Sequence, residues 1–322
     1  MLLHQEETII SQWNRSLDLP LASVCMRTYN LEKYVSQAIE SVLSQVTTFP
    51  YEIIIDDDKS TDGTRNIIKQ YMEDYPHIIK ANFHEKNIGT RRNLVRNLQN
   101  ARGKYIAPCD GDDYWTDIFK LQKQVDFLEQ NKEYAITYCS LDALLKDGTI
   151  RKGLYNNQDL EVEQIQKYSL RTGICAVCFR NVEIIKNYPF EYQCAPVDDM
   201  FLWPLIGAYG KAKYLSDISP SIYRYHSKGD FQGLASRQRR INIYLTFLAL
   251  SMYFLRSNNM PLYKHFHKKA IGRSLILHSR FYYIHNALIF EKVKNKLIRI
   301  KRSFNQVLKD VAINNSKTVN RV

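Results

Sequence analysis

Tyr51-Glu52-Ile53-Ile54-Ile55 is a short apolar run that passes straight into Asp56-Asp57-Asp58. Tyr105-Ile106-Ala107-Pro108 does the same, ending in Cys109-Asp110-Gly111-Asp112-Asp113. The first run follows Pro50 and is rich in β-branched residues, the mark of a buried strand. Beyond it Ser60-Thr61-Asp62-Gly63 turns the chain into a helix that continues through Tyr71. Outward from there, Leu21-Ala22-Ser23-Val24-Cys25-Met26 reads as another buried strand. Residues 31–45 show helical spacing at Tyr34, Val35, Ala38, Ile39, Val42 and Leu43, with Asn30 as the expected N-cap. Ile78-Ile79-Lys80-Ala81-Asn82 adds a strand, 90–101 a helix, and 116–131 an amphipathic helix. Strand and helix alternate over the first 140 residues, so an α/β fold with a mostly parallel sheet flanked by helices is expected. Open sheets of this kind place ligands at the carboxyl ends of their strands. Both acidic runs sit there.

The chain has 322 residues, 45% hydrophobic and 24% charged, enough for one large domain or two modest ones. Six Cys are too few for a disulfide framework, and Cys175-Ala176-Val177-Cys178 lacks the further ligands a zinc site needs. The start, Met1-Leu2-Leu3-His4-Gln5-Glu6-Glu7, has no basic segment before an apolar one, so no signal peptide is expected. The longest apolar run, 241–255, is fifteen residues, short of the roughly 20 a bilayer span requires. The net charge of +12 is unevenly placed: 231–322 holds 18 Lys+Arg and 2 Asp+Glu, and the rest 27 and 31. Such asymmetry suits a polyanionic partner, whether nucleic acid, anionic membrane or anionic glycan, or else a solvated helical face. After 230 the sequence reads as helices with basic and aromatic faces.

Three carboxylates within four residues, Asp110, Asp112 and Asp113, repel one another unless a cation or donors compensate. A hard divalent ion would do so; a solvated acidic turn before the next helix fits the loop equally well. Asp56-Asp57-Asp58 offers acceptors for a nucleobase N–H or a ribose hydroxyl, or simply helix capping by Asp58, Ser60 or Asp62. Two such clusters at the ends of one sheet favour a ligand.

Five motifs then occur in order: Leu21 through Asn30; Ala38-Ile39-Glu40-Ser41-Val42-Leu43-Ser44-Gln45; Asp57 through Thr64; Asn87-Ile88-Gly89; and Gly103-Lys104-Tyr105-Ile106 into Asp110-Gly111-Asp112-Asp113-Tyr114-Trp115. Together they resemble the family 2 glycosyltransferases, inverting enzymes of the nucleotide-diphospho-sugar transferase fold called GT-A. The resemblance covers 20–140 in register and extends loosely to 229. It implies a donor that is a nucleotide-diphospho-sugar, a UDP-sugar above all, with Thr28, Tyr29 and Asp58 at the base. It implies that Asp110, Asp112 and Asp113 are the DXD motif, holding ribose and a diphosphate-bound Mn²⁺ or Mg²⁺. Asp112 is the favoured metal ligand, followed by Asp113. Lys59 and Asp56 depart from the family pattern.

The resemblance also places a general base in Pro196-Val197-Asp198-Asp199-Met200-Phe201-Leu202. Asp199 is the implied catalytic base and Asp198 its partner; an apolar run beside the pair would raise one pKa. Ordinary acids at a helix start give the same pattern. Tyr223-Arg224-Tyr225-His226 matches a family Tyr-Arg-x-His signature, with His226 offered to metal or diphosphate and Arg224 to phosphate. Arg91 and Arg92 are candidates for the diphosphate. The expected organisation is an extension (1–19), a GT-A domain (20–140 for the nucleotide-sugar, 141–229 for the acceptor) and a basic helical region (230–322).

A metal-dependent transfer to a glycan or lipid-linked acceptor in cell-surface polysaccharide synthesis follows. The tail, with Arg237, Arg239, Arg240, Lys264, Lys268 and Lys269 and then 273–302, would sit on the anionic inner face of the cell membrane, making the protein cytoplasmic and peripheral. That reading sets nucleic acid aside as the partner. A sugar nucleotidyltransferase would want a Gly-rich basic loop where Arg27-Thr28-Tyr29-Asn30 stands. A binding protein with a dead enzyme domain would not be expected to keep Asp112, Asp113 and Asp199. No G-x-G-x-x-G turn or P-loop occurs.

Overall fold

The structure, a computed structural model, describes residues 5–14, 19–153, 157–170, 172–226 and 234–274. The chain divides into two compact units, Met1–Ala270 and Ile271–Val322. In the first, α1 (Glu6–Ile10) is followed by β1 (Ala22–Thr28), α2 (Val35–Leu43), β2 (Tyr51–Asp57), α3 (Thr64–Asp74), β3 (Ile79–Phe83), α4 (Thr90–Gln99), β4 (Tyr105–Pro108) and α5 (Lys120–Gln130). Then come β5 (Tyr134–Tyr138), β6 (Leu141–Leu144), β7 (Ile150–Arg151), α6 (Val162–Tyr168), β8 (Val177–Arg180), α7 (Glu183–Lys186), α8 (Asp198–Ile206), β9 (Lys211–Tyr214), β10 (Ser221–Arg224) and α9 (Ser236–Arg256).

Seven strands form one sheet in the order β3-β2-β1-β4-β8-β5-β9. Only β8 runs against its neighbours, so the sheet is mostly parallel, as the alternation of elements implies. β10, β6 and β7 make a small second sheet. Side chains alternate across the pleat. Ile53 and Ile55 of β2 enter a core with Val24, Val42 and Leu121, whereas Ile54 enters the opposite one with Ile106, Phe179 and Trp203. The parallel register aligns Arg27 with Asp56 and Thr28 with Asp57, and sets Cys25 against Pro108. Three strands therefore end at one edge, with their acidic loops side by side.

Two helices start later than their periodicity predicts, because tertiary hydrogen bonds take the residues in front. Asn30 does not cap α2: it is left-handed, with φ 54°, and its Oδ1 accepts the Thr61 N–H at 2.8 Å. Leu31 N–H donates to Thr64 Oγ1 at 2.8 Å. Before α5, the Thr116 hydroxyl donates to the Pro220 carbonyl at 2.7 Å.

Beyond the expected boundary at 229, α9 buries Phe247, Leu250 and Phe254 in the same core as Tyr192 and Phe201. Arg256 adds a two-point ion pair to Glu191, at 2.6 and 3.0 Å. These contacts carry the compact unit to Ala270, so 230–270 of the expected basic region falls within it. The apolar run 241–255 lies within α9, and among the described residues no helix is long and apolar enough to cross a membrane. The basic positions from Arg280 to Arg302, with Phe281, Tyr282 and Tyr283, lie outside the described residues.

One close approach ties β1 to β4. A Cβ on Gly103 would stand 2.6 Å from Ser23 N and 2.7 Å from Ala22 C, both backbone atoms of the neighbouring strand. Gly103→Ala should therefore cost about 1–3 kcal/mol of stability, read as a lower midpoint in urea with an unchanged slope.

Candidate active site

Asp56 and Asp57 end β2 and point to opposite faces of the sheet, as strand geometry requires, and Asp58 follows the strand. Asp56 is buried and accepts the Asn97 amide at 2.6 Å; burial pushes its carboxyl up. Asp57 accepts the Thr28 hydroxyl (3.0 Å), the Ser60 N–H (3.0 Å) and Arg65 Nε (2.5 Å). Asp58 accepts the backbone N–H groups of Ile88 (2.6 Å) and Gly89 (2.9 Å). Asp62 accepts Thr64 N–H at the start of α3. These carboxylates build the loops around 58–64 and 87–89.

The 109–113 loop is folded against β1. Gly111 N–H donates to the Arg27 carbonyl at 2.9 Å, and a Cβ at Gly111 would lie 2.7 Å from Thr28 Cγ2. Arg27, the charged residue near the end of an otherwise apolar strand, reaches back over this loop. Its Nε and Nη2 donate to the two oxygens of Asp110, at 2.8 and 2.5 Å. Its Nη1 donates to Asp198 Oδ2 at 2.9 Å. One guanidinium thus joins the strand, the first acid of the DXD stretch and the first turn of α8, with side chains only 15–19% exposed.

Asp112 Oδ2 and His226 Nε2 are hydrogen-bonded at 2.8 Å. Asp113 is 2% exposed, and its Oδ1 accepts the Arg224 N–H at 3.0 Å. Burial, followed by the neighbouring charge of Asp112, holds the Asp113 carboxyl well above its ordinary range. Arg224 also donates from Nε to the Asp112 carbonyl at 2.9 Å and lies over the Tyr34 and Tyr114 rings. The small second sheet thereby braces the acidic loop.

On the opposite side, the Tyr192 hydroxyl donates to Asp198 Oδ1 at 2.6 Å, so both Asp198 oxygens are taken. Burial raises the Asp198 carboxyl, and Arg27 opposes the rise. Asp199 forms no ion pair with any described residue, although the Arg27 charge acts on it. One oxygen accepts the Met200 N–H at 2.8 Å, and burial pushes its pKa up to about 6. The neighbouring Val197 N–H is held by Thr246 Oγ1 of α9 at 3.1 Å, so the C-terminal helix helps fix the turn.

These groups face one cavity of about 1450 Å³. Asp110, Asp112, Asp113, Asp198, Asp199 and Arg91 line it. Thr28, Tyr29, Asp58 and His226 do not line it: Thr28 and Asp58 spend their side chains on the loop network, Tyr29 stands half-exposed, and His226 reaches the cavity through Asp112. Arg27, Lys86, Arg96, Tyr188 and Tyr192 are lining residues that sequence reasoning missed. For Arg27 the signal was present, as a lone charge closing an apolar strand.

The donor set at Asp112 and His226 is one hard oxygen and one imidazole nitrogen at a cavity edge. That chemistry fits Mn²⁺ or Mg²⁺ completed by water and phosphate oxygens. Among the described residues no cluster of three or more His, Cys, Asp or Glu is assembled for a metal.

The model of the family described as "Glycosyl transferase family 2" matches residues 23–188. A Mycobacterium tuberculosis protein of unassigned function is 40% identical over 126 residues, 39% of this chain and 36% of its own length. The chain thus spans little more than a third of that relative. WfaP of Escherichia coli, a UDP-Glc:α-D-GlcNAc-diphosphoundecaprenol β-1,3-glucosyltransferase, is 30% identical over 209 residues, covering 65% of this chain and 79% of WfaP. The crystal structure of S. aureus TarS 1-349 with UDP-GlcNAc shares the fold, with a TM-score of 0.57 at 17% identity over 82% of this chain and 75% of that one. Strand order, acidic edge and family match agree, and the chain belongs to glycosyl transferase family 2, on the GT-A fold.

Proposed function

We propose that this protein transfers a sugar, with inversion, from a nucleotide-diphospho-sugar to a hydroxyl of a glycan or lipid-linked acceptor, and that the donor is a UDP-sugar. The observation that carries the reading is the placement of Asp199, without an ion pair to any described residue and with its pKa pushed up to about 6 by burial, in the same cavity as Asp110 and Asp112. TarS, a fold neighbour, is seen with UDP-GlcNAc, and WfaP is named for a UDP-glucose donor.

In this reading Asp199 takes the proton of the acceptor hydroxyl as that oxygen bonds to the anomeric carbon. The bond from that carbon to the diphosphate breaks, and the electron pair leaves with the nucleotide. A carboxylate near pKa 6 is ionised at neutral pH yet more basic than an exposed Asp, which suits the task. Asp198 does not compete for the proton, because Arg27 and Tyr192 occupy both its oxygens. Arg27 is a positioning residue: it sets α8, and so Asp199, against the Asp110 loop. A divalent ion held by Asp112 and His226 would supply neutralisation of the diphosphate charge.

The first experiment is a donor screen with the full chain and Mn²⁺, followed by the Asp199 variant. Asp199→Asn should lower transfer about 10²–10⁴-fold while leaving nucleotide affinity near wild type, by calorimetry. Wild-type kcat/KM should rise with pH and level off above about 6, since only the deprotonated base works and burial has raised its pKa. A flat profile from pH 5 to 8 would remove Asp199 from the role.

Arg27→Met strips the cation that lowers the Asp199 pKa and leaves Asp110 and Asp198 unpaired. The acid limb should move above 6 and kcat should fall on the order of 10²-fold. Arg27→Lys should restore only part, because a lysine cannot make the two-point contact.

For the metal pair, Asp112→Asn and His226→Ala should each weaken Mn²⁺-dependent UDP binding at least about 10-fold in calorimetry. Metal-independent UDP affinity equal in all three proteins would argue for a site that works without the ion.

A further inference from the structure

We propose that Asp56 is a buried proton-binding site, and that its proton decides how firmly His84 anchors the segment supplying Lys86, Ile88 and Gly89 to the cavity wall. The inference does not depend on the sugar-transfer reading.

Asp56 is fully buried near the end of β2, at a position where the sequence departs from the family pattern. Its Oδ2 accepts the Asn97 amide at 2.6 Å, and the same amide nitrogen donates to the Ile54 carbonyl at 2.9 Å. Two acceptors thus fix which way the Asn97 amide points. Asp56 Oδ1 and Asn97 Oδ1 are left as buried oxygens on adjoining side chains, neither with a hydrogen-bond partner. A buried acceptor without a donor costs free energy. One proton on Asp56 Oδ1 turns one of the two into a donor beside the other. Acid and amide are then complementary: the carbonyl oxygen of the acid takes the N–H, and its O–H meets the spare amide oxygen.

Few charged or titratable groups face this carboxyl. β1 contributes Arg27, its register neighbour, and Cys25; the Arg27 guanidinium is committed to Asp110 and Asp198, and the Cys25 thiol donates to the Asn97 carbonyl at 3.6 Å. On β2 itself, Glu52 is bonded to Ser23 and Arg102. β3 sets Asn82 alongside, and His84 follows that strand. From α4 come Asn93, Asn97 and the charge of Arg96. Burial outweighs His84 and Arg96 and pushes the carboxyl up, in keeping with a protonated form.

His84 connects this proton to the cavity. Asn93 donates its amide N–H to the Asp56 carbonyl at 3.0 Å, so its Oδ1 is the atom that meets His84 Nε2, at 3.1 Å, and that nitrogen carries a hydrogen. The same nitrogen stands 3.8 Å from Asp56 Oδ1. With a proton on Oδ1, Asp56 is a poor acceptor and His84 stays on Asn93. Once ionised, Oδ1 competes for the imidazole hydrogen and draws His84 off α4. The His84 backbone is a fixed point of the segment: its N–H donates to the Asp57 carbonyl at 3.0 Å, and its carbonyl accepts Arg65 Nη2 at 2.5 Å. Lys86, Ile88 and Gly89 follow at the cavity.

The test compares the full chain with its Asp56→Asn variant, which keeps an acceptor for Asn97 and places an N–H where the acid has its O–H. The folded state binds the Asp56 proton more tightly than the unfolded chain, whose aspartates titrate at about 3.9. Stability from this group is therefore full below that pH and is lost as pH rises through the higher folded value. Between about pH 4 and 8 the urea midpoint of wild type should fall relative to that of the variant, the ratio of their unfolding constants growing about 10-fold for each pH unit up to the folded titration. Over the same range the Ile88 and Gly89 amides, followed by hydrogen exchange corrected for the intrinsic rate, should lose protection in wild type and keep it in Asp56→Asn. A variant that is less stable than wild type at neutral pH, or that fails to fold, overturns the proposal, because an ionised Asp56 paired with His84 would then be the native arrangement. A stability difference that does not change with pH also overturns it: a buried water would then serve both oxygens. Protection that falls equally in the two proteins breaks the link to the cavity wall and ends the switch.

Discussion

The site depends on one guanidinium. Parallel register brings the ends of β1, β2 and β4 together, and with them more carboxylates than an uncompensated edge could hold. Arg27 resolves the conflict from inside the strand layer: it bonds both oxygens of Asp110 and one of Asp198. A two-point contact fixes direction as well as distance. The loop from β4 and the first turn of α8 are far apart in sequence, yet each takes its position from the same planar group. Lysine would supply the charge without the geometry.

With Arg27 committed to Asp110 and Asp198, the two neighbouring acids at the start of α8 become different groups. Asp198 is fully bonded and works as an anchor. Asp199 is held by backbone N–H groups and has no ion pair to any described residue, and burial raises its pKa. The difference arises from partners, since the residue types are identical. It also explains why the C-terminal helix matters to the chemistry. α9 covers the segment that carries Tyr192 and holds Val197 through Thr246, so the water exclusion that tunes Asp199 comes partly from outside the family-matched 23–188 region.

Much of this was legible in the sequence, for physical reasons. Apolar strands alternating with amphipathic helices leave few arrangements besides a covered parallel sheet, and the acids at strand ends mark the ligand edge. Asp110 and Asp112 stand out as carboxylates gathered at a strand end, whereas Asp198 and Asp199 are picked out by the family resemblance. What was hidden is who partners whom. Nothing local shows that Asp58 turns to the N–H groups of Ile88 and Gly89, or that Asn30 is taken by the 60–64 turn and cannot cap α2. The boundary at 229 misplaces α9 for the same reason: its basic residues set the composition of the segment, while its buried Phe247, Leu250 and Phe254 decide where it packs.

The cavity is best understood as two electrostatic problems placed side by side. On the floor Arg27 pairs with Asp110 and Asp198, and His226 is hydrogen-bonded to Asp112, whereas Asp199 has no ion pair among the described residues. On the α4 wall Lys86, Arg91 and Arg92 form no ion pair with any described residue, while the charge of Arg96 acts on buried Asp56. Opposite charges that could have paired across the cavity are instead kept on separate walls, the floor acids already bonded to Arg27 and His226. A protein that neutralised both walls internally would hold its shape equally well but would present no field to a charged ligand. Acids on one wall and basic residues on the other give an incoming charged molecule a direction. In the proposed reading the acceptor hydroxyl faces Asp199, the acid of the pair that Arg27 and Tyr192 leave unbonded.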